Sequence, residues 1–182
     1  NLLQVNPYYL TIHNLEFGVN IIPTLNASKI LYDVICFKNV ESIKKIRPDR
    51  YFIEFEMDKY YLKMYDKGLQ AITRWGKNIG NILRIEVKAT NSAFFADTGI
   101  KTIADLLNPK SLLLLGRKIN KLFSDIVFDD HTINHKKMTR PDQKNYLLNR
   151  NPKEWANNKG SVNSTIAYRQ KRFRAIVKKH GT

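Results

Sequence analysis

Cysteine is almost missing from this 182-residue sequence, with Cys36 alone. One thiol excludes an internal disulfide and a cysteine-based zinc site. It fits a reducing, cytoplasmic setting and reads as a small apolar core residue. Long apolar runs are missing too. The longest, "SLLLLG" from Ser111, falls well short of the roughly 20 residues that span a bilayer. The opening residues lack a basic n-region, so no signal peptide is expected; the chain starts on Asn1 rather than Met, as a fragment or trimmed product does. Without a Walker pattern or G-x-G-x-x-G loop, ATP hydrolysis and dinucleotide chemistry are set aside. A serine elbow, a Cys–His pair and an H-x-H metal dyad are likewise absent.

Acidic residues are also scarce, with 16 Asp and Glu against 31 Lys and Arg and a net charge of +15. From Lys136 onward, thirteen Lys or Arg face only Asp142 and Glu154, a net of +11 that leaves +4 for all that precedes. Such density is self-repelling without a polyanion, and nucleic acid is the expected one. This asymmetry predicts a body over 1–135 and a basic helical region over 136–182. An acidic membrane surface fits less well, because no basic stretch has a strong apolar face of its own.

Hydrophobic residues at 43% give the body enough material for a core. Residues 8–21 alternate, and Gly18 is expected to mark a bend or bulge in one long strand. "NASKILYDVICF" carries a helix-like pattern after a capping Asn26. "RYFIEFEMDKYYLKMYDKG" reads as two strands joined at Met57-Asp58-Lys59, with Lys67-Gly68 as a closing turn. In "NILRIEVK", Ile82, Arg84, Glu86 and Lys88 fall on one face and Asn81, Leu83, Ile85 and Val87 on the other. From Thr98 the pattern turns helical. Thr102 and Asp105 make a capping signal, and Leu112, Leu113, Ile119, Leu122 and Phe123 share a predicted apolar face. A last helix starts at Ser161 or Ser164, packs Ile166, Phe173, Ile176 and Val177, and leaves Arg169, Lys171, Arg172, Arg174 and Lys178 to solvent or phosphate. Strands first and helices later predict an α+β fold: an antiparallel sheet with packing helices, then the basic helical C-terminal region.

Two groups of residues carry possible chemistry. Tyr61 and Tyr65 lie four apart on one strand, hence on one face, beside Asp66 and Lys67. A phenol with its pKa near 10 is a weak nucleophile, so attack on a phosphodiester needs a cation or metal to stabilise developing charge. The same residues also make an ordinary aromatic strand. Glu16 and Glu86 are single acids inside otherwise apolar strands. With Asp66 they make an oxygen-ligand set suited to Mg²⁺ or Mn²⁺, or they are solvent-facing acids paired to neighbours. His131 and His135 sit in "DDHTINH", where a linker or capping role is expected. Tyr146, Trp155, Tyr168 and Phe173 in the basic region either stack on bases or pack a small core.

In order, "NLEFGVNI", "YYLKMYDKGLQ", "NILRIEVK" and "GIKTIADLLN" resemble the blocks of phage and plasmid replication initiators of the gene II/X type, related in pattern to staphylococcal-type plasmid initiators. The resemblance covers roughly residues 9 to 108. It implies rolling-circle initiation by site-specific nicking and joining of one DNA strand, through a covalent tyrosine–5′-phosphate link, with origin DNA and a host helicase as partners. It makes Glu16, Glu86 and Asp66 metal ligands for Mg²⁺ or Mn²⁺, with Lys67 lining the site. Tyr65 comes first as nucleophile, then Tyr61, with Tyr146 and Tyr168 open; Arg84 and Lys88 join the basic helix in contacting DNA. The alternatives are a non-catalytic DNA-binding protein that recognises an origin or operator, and an RNA-binding or nucleoprotein component.

Overall fold

The computed structural model describes residues 6–38, 40–41, 43–47, 50–156 and 163–181. The chain divides into two compact units, Asn1–Leu31 with Lys44–Ser124, and Tyr32–Ile43 with Asp125–Thr182. The boundary expected at 135/136 falls inside the second unit. Packing, rather than charge, draws the line: residues 32–43 supply strands that pair with the chain after Ser124.

The first unit is built on a five-stranded sheet. Its strands are β1 (Leu15–Ile21), β4 (Ile43–Arg47), β5 (Arg50–Met57), β6 (Tyr60–Asp66) and β7 (Leu83–Ala89), in the order β1-β7-β6-β5-β4. The pairs β1–β7, β7–β6 and β6–β5 are antiparallel. The hairpin between β5 and β6 pairs Met57 with Tyr60, so only Asp58 and Lys59 form its turn. Alternation puts Ile53, Phe55, Leu62, Met64, Leu83, Ile85 and Val87 on one face, where all are buried. Each such side chain contributes about 1.5–3 kcal/mol by leaving water. Among the helices, α3 (Ile103–Leu106) follows a capping box in which the Asp105 carboxylate accepts from the Thr102 N–H at 2.7 Å. Helix α4 (Pro109–Ser124) brings Leu115 against Ala89, Phe95 and Ile100.

Several expectations change. The β1 strand starts only at Leu15, after a short 3-10 turn at Pro7–Tyr9, and its register runs unbroken through Gly18. Gly18 is therefore not a bulge. A β-carbon there would stand 2.7 Å from the Ile85 carbonyl and 3.3 Å from the Arg84 guanidinium, so glycine serves close approach. The helix after Asn26 stops early: α1 covers Ala27–Tyr32, and "VICF" becomes the fully buried strand β2 (Val34–Phe37). In α4 the buried stripe is Ser111, Leu115, Ile119 and Leu122, while Leu112 and Leu113 are exposed. Lys67-Gly68 does not close a turn; it opens helix α2 (Lys67–Trp75), which ends on Gly76 in the left-handed region at φ 63°.

The second unit joins the three-stranded sheet β3 (Val40–Glu41), β2 and β8 (Ile126–Phe128) to α5 (Arg140–Arg150), α6 (Pro152–Ala156) and α7 (Asn163–His180). Its core gathers Ile35, Cys36, Val127, Tyr146, Trp155, Phe173 and Ile176. Cys36 is fully buried, and burial pushes its thiol pKa up to about 12, as befits an inert core residue. The α+β class holds across the chain. Of the two starts expected for the last helix, Ser161 lies outside the described residues and Ser164 lies within α7.

Candidate functional site on the polar sheet face

The opposite face of the large sheet is polar. Register sets its residues in three cross-strand rows, running β1, β7, β6, β5. The first row is Glu16, Lys88, Tyr61 and Glu56; the second is Gly18, Glu86, Lys63 and Glu54; the third is Asn20, Arg84, Tyr65 and Phe52. Antiparallel partners share a face, so Glu16 and Glu86 are diagonal neighbours and Tyr65 lies diagonal to Glu86. The sequence-predicted residues Glu16, Glu86, Tyr61, Tyr65, Arg84 and Lys88 are thus brought together on one surface.

At its centre, Glu86 is buried, and its Oε2 accepts from the Tyr65 hydroxyl at 3.2 Å and from the Arg84 Nε at 3.0 Å. Arg84 reaches further, donating through Nη1 to the Asn20 Oδ1 at 3.1 Å. Gly18 leaves room for that guanidinium. Glu16 carries the other half of a carboxyl pair. Its hydrogen bond with Glu86, then burial and the Glu86 charge, raise its pKa, against the pull of Lys63 and Lys88. For Glu86, burial works upward, yet the hydrogen bonds from Glu16 and Arg84 hold its pKa below the usual value. The two shifts run in opposite directions, so Glu16 takes up a proton before Glu86 as pH falls.

Asp66 does not join this group. It is next in sequence to Tyr65 and so points to the other face, where it caps α2. Its carboxylate accepts from the Leu69 N–H at 2.8 Å and the Ser28 hydroxyl at 2.7 Å, and the residue is only 6% exposed. Such a cap contributes about 1 kcal/mol and leaves the carboxylate engaged. Lys67, by contrast, turns back over the site as the first residue of α2, with Nζ 5.9 Å from the centre of the Tyr65 ring. Tyr61 donates to Glu56 at 2.9 Å, and that bond with the Glu56 charge raises its pKa, away from phenolate.

Two carboxylates on one face suit a divalent ion carried in on a phosphate, since Mg²⁺ is commonly held by one or two carboxylates plus phosphate oxygens. The raised pKa of Glu16 marks a like-charge crowding that such an ion would relieve. Among the described residues no group of three or more His, Cys, Asp or Glu is placed to hold a metal. Glu16 and Glu86 fit the ion in this substrate-borne sense; Asp66 does not.

Lys63, between Glu86 and Glu54, went unnoticed in the sequence, although its parity with Tyr61 and Tyr65 was readable. In the second unit, Arg169 is not a free phosphate contact. It donates to the Glu154 carbonyl at 3.1 Å and to the Asn149 Oδ1 at 2.7 Å, and lies over the Trp155 ring. Arg174 donates to the Ile126 carbonyl at 3.3 Å. Lys171, Arg172 and Lys178 are exposed. Tyr146, Trp155 and Phe173 are core residues, and Tyr168 is exposed. His131 pairs with Asp33 at 2.7 Å, and His135 opens a short turn against the Tyr146 ring. No helix among the described residues is long and apolar enough to cross a membrane. Comparison with protein-family models, curated proteins and solved structures finds no match for this chain.

Proposed function

We propose that this protein initiates rolling-circle replication by nicking and rejoining one DNA strand, with Tyr65 as the nucleophile. The observation that carries the reading is the Tyr65 hydroxyl donating to buried Glu86 beside Arg84, on a sheet face whose rim is exposed. Each part has a task in phosphoryl transfer. Glu86 takes the phenol proton as the Tyr65 oxygen bonds to phosphorus. The bond from phosphorus to the 3′-oxygen breaks, and that oxygen picks up a proton from solvent. Tyr65 is left joined to the 5′-phosphate, and the free 3′-hydroxyl reverses the step when it attacks the same phosphorus. Arg84, Lys63 and Lys67 stabilise charge on the phosphate oxygens. Mg²⁺ or Mn²⁺, held by Glu16 and Glu86, would polarise the phosphate.

The net charge of +15 supports DNA as partner, with Lys88, Lys171, Arg172 and Lys178 as exposed phosphate contacts. A cytoplasmic site of action and a helicase partner belong to the same reading. The test is supercoiled origin DNA incubated with Mg²⁺ or Mn²⁺. Open circles with protein on the 5′ end are expected, lost in Tyr65→Phe, while Glu86→Ala stops nicking but still binds. A wild type that binds DNA tightly and never nicks it with any divalent ion leaves the second reading, a non-catalytic origin or operator binder, which the basic surface alone supports.

A further inference from the structure

Helix α2 presents an aromatic ring that the core does not use. Trp75 is 55% exposed, whereas the other tryptophan, Trp155, is 1% exposed. Along α2, Leu69, Ile72 and Trp75 recur every three residues and are all exposed, giving an apolar stripe on the solvent side. The stripe runs up to the candidate site. The Lys67 ammonium stands 5.1 Å from the centre of the Trp75 ring and 5.9 Å from the centre of the Tyr65 ring, and it is steadied by the Gln70 Oε1 at 3.0 Å. One cation thus bridges the proposed nucleophile and an exposed indole.

An exposed indole beside a lysine and near a reacting phosphate matches the needs of an unpaired nucleotide. The base stacks on the ring and the phosphate meets the cation. A paired base offers no such face, since both its faces are covered in the duplex. We infer that Trp75 is the stacking platform for an unpaired base flanking the phosphate that Tyr65 attacks, and that it makes the site select single-stranded over duplex DNA. This rests on the nicking reading for the identity of that phosphate, but base stacking can be measured without any cleavage.

The experiment uses a Trp155→Phe protein, in which Trp75 is the sole tryptophan, titrated with a (dT)12 strand and with a 12-base-pair duplex. Quenching of Trp75 fluorescence by the strand and little by the duplex is expected. Trp75→Ala should weaken binding of the strand roughly tenfold, the loss of one stacked base, while duplex binding stays the same and Trp75→Phe retains most of the affinity. Equal quenching by strand and duplex, or unchanged strand affinity in Trp75→Ala, overturns the inference even if wild type nicks DNA. Should wild type fail to nick while quenching and the affinity loss persist, the stacking platform stands and the nicking reading falls. The Trp75→Phe arm reports on the ring without the risk of an unfolded variant.

Discussion

Two tyrosines in this chain sit in nearly the same company, yet the proposed function gives them opposite roles. Tyr65 donates to Glu86 beside Arg84; Tyr146 donates to Asp129 beside Arg150. Tyr146 is 1% exposed, its bond to Asp129 is 2.6 Å, the Asp130 carbonyl lies 3.0 Å away, and Phe173 stacks on its ring. Burial, then Asp129, push its pKa well above the ordinary phenol value. Arg150 places Nη2 2.7 Å from the same carboxylate, so phenol, carboxylate and guanidinium are all engaged with one another. Tyr65 makes a longer bond, at 3.2 Å, to a carboxylate crowded by Glu16, on a sheet face with exposed neighbours. The trio of phenol, carboxylate and guanidinium therefore specifies no role. Both phenols are buried, Tyr65 at 9% and Tyr146 at 1% exposed; what differs is the length of the bond and the exposure of the residues around it.

This contrast can be broken in several ways. The largest effect belongs to Glu86→Gln, which removes the carboxylate proposed to take the Tyr65 proton. Nicking should fall by about 10²- to 10⁴-fold with DNA affinity little changed, as read by single-turnover cleavage and by filter binding. Asp129→Asn should leave nicking intact. In a thermal melt, Tyr146→Phe should cost about 1–3 kcal/mol because Asp129 loses a donor held at 2.6 Å, while Tyr65→Phe, whose bond to Glu86 is 3.2 Å long, should cost less. Equal losses would mean that the two trios are both structural. Within α7 the same logic separates cations: Arg169→Ala should destabilise by about 1–3 kcal/mol, whereas Lys171→Ala should leave the melt unchanged and reduce the salt dependence of DNA binding by about one ion.

The smallest effect is a pH dependence. Glu16 holds its proton above the ordinary value of 4.5. The stability it gives is fully present below that value and is lost as pH rises through its higher folded-state pKa. Glu86, shifted down, acts the other way: its contribution is present above the ordinary value and fades as pH falls through its folded-state pKa. Glu16→Gln removes the first contribution and, because the Glu16 hydrogen bond helps to lower the Glu86 pKa, weakens the second, which acts below pH 4.5. The melting temperature of the variant should rise relative to wild type between pH 4.5 and neutrality. A difference that stays flat across that range would show that the two carboxyls do not share a proton.

Much of this surface was legible in the sequence because strand alternation has a period of two. That period put Arg84, Glu86 and Lys88 on one face and paired Tyr61 with Tyr65. What it could not give was the register across strands, which depends on distant partners and sets Lys63 between Glu86 and Glu54. Asp66 was misread because a carboxylate at a strand end serves equally as a ligand or a helix cap, and the nine-residue helix that follows decides for the cap. Gly18 signalled a bulge but was needed for the approach of Ile85 and Arg84. The cations of the tail were read by charge alone, and charge does not distinguish Arg169, held over Trp155, from exposed Lys171. Apolar spacing in "LQAITRW", at Leu69, Ile72 and Trp75, held the signal for α2, hidden because Lys67-Gly68 resembled a turn.

The central claim is that Tyr65, and not its internal twin, reacts with DNA. The direct measurement is peptide mapping by mass spectrometry of the covalent protein–DNA species formed on an origin strand with Mg²⁺. The account predicts a nucleotide remnant on Tyr65, lost in Tyr65→Phe and retained in Tyr146→Phe. A remnant on Tyr61, Tyr146 or Tyr168, or an adduct that persists in Tyr65→Phe, would contradict it.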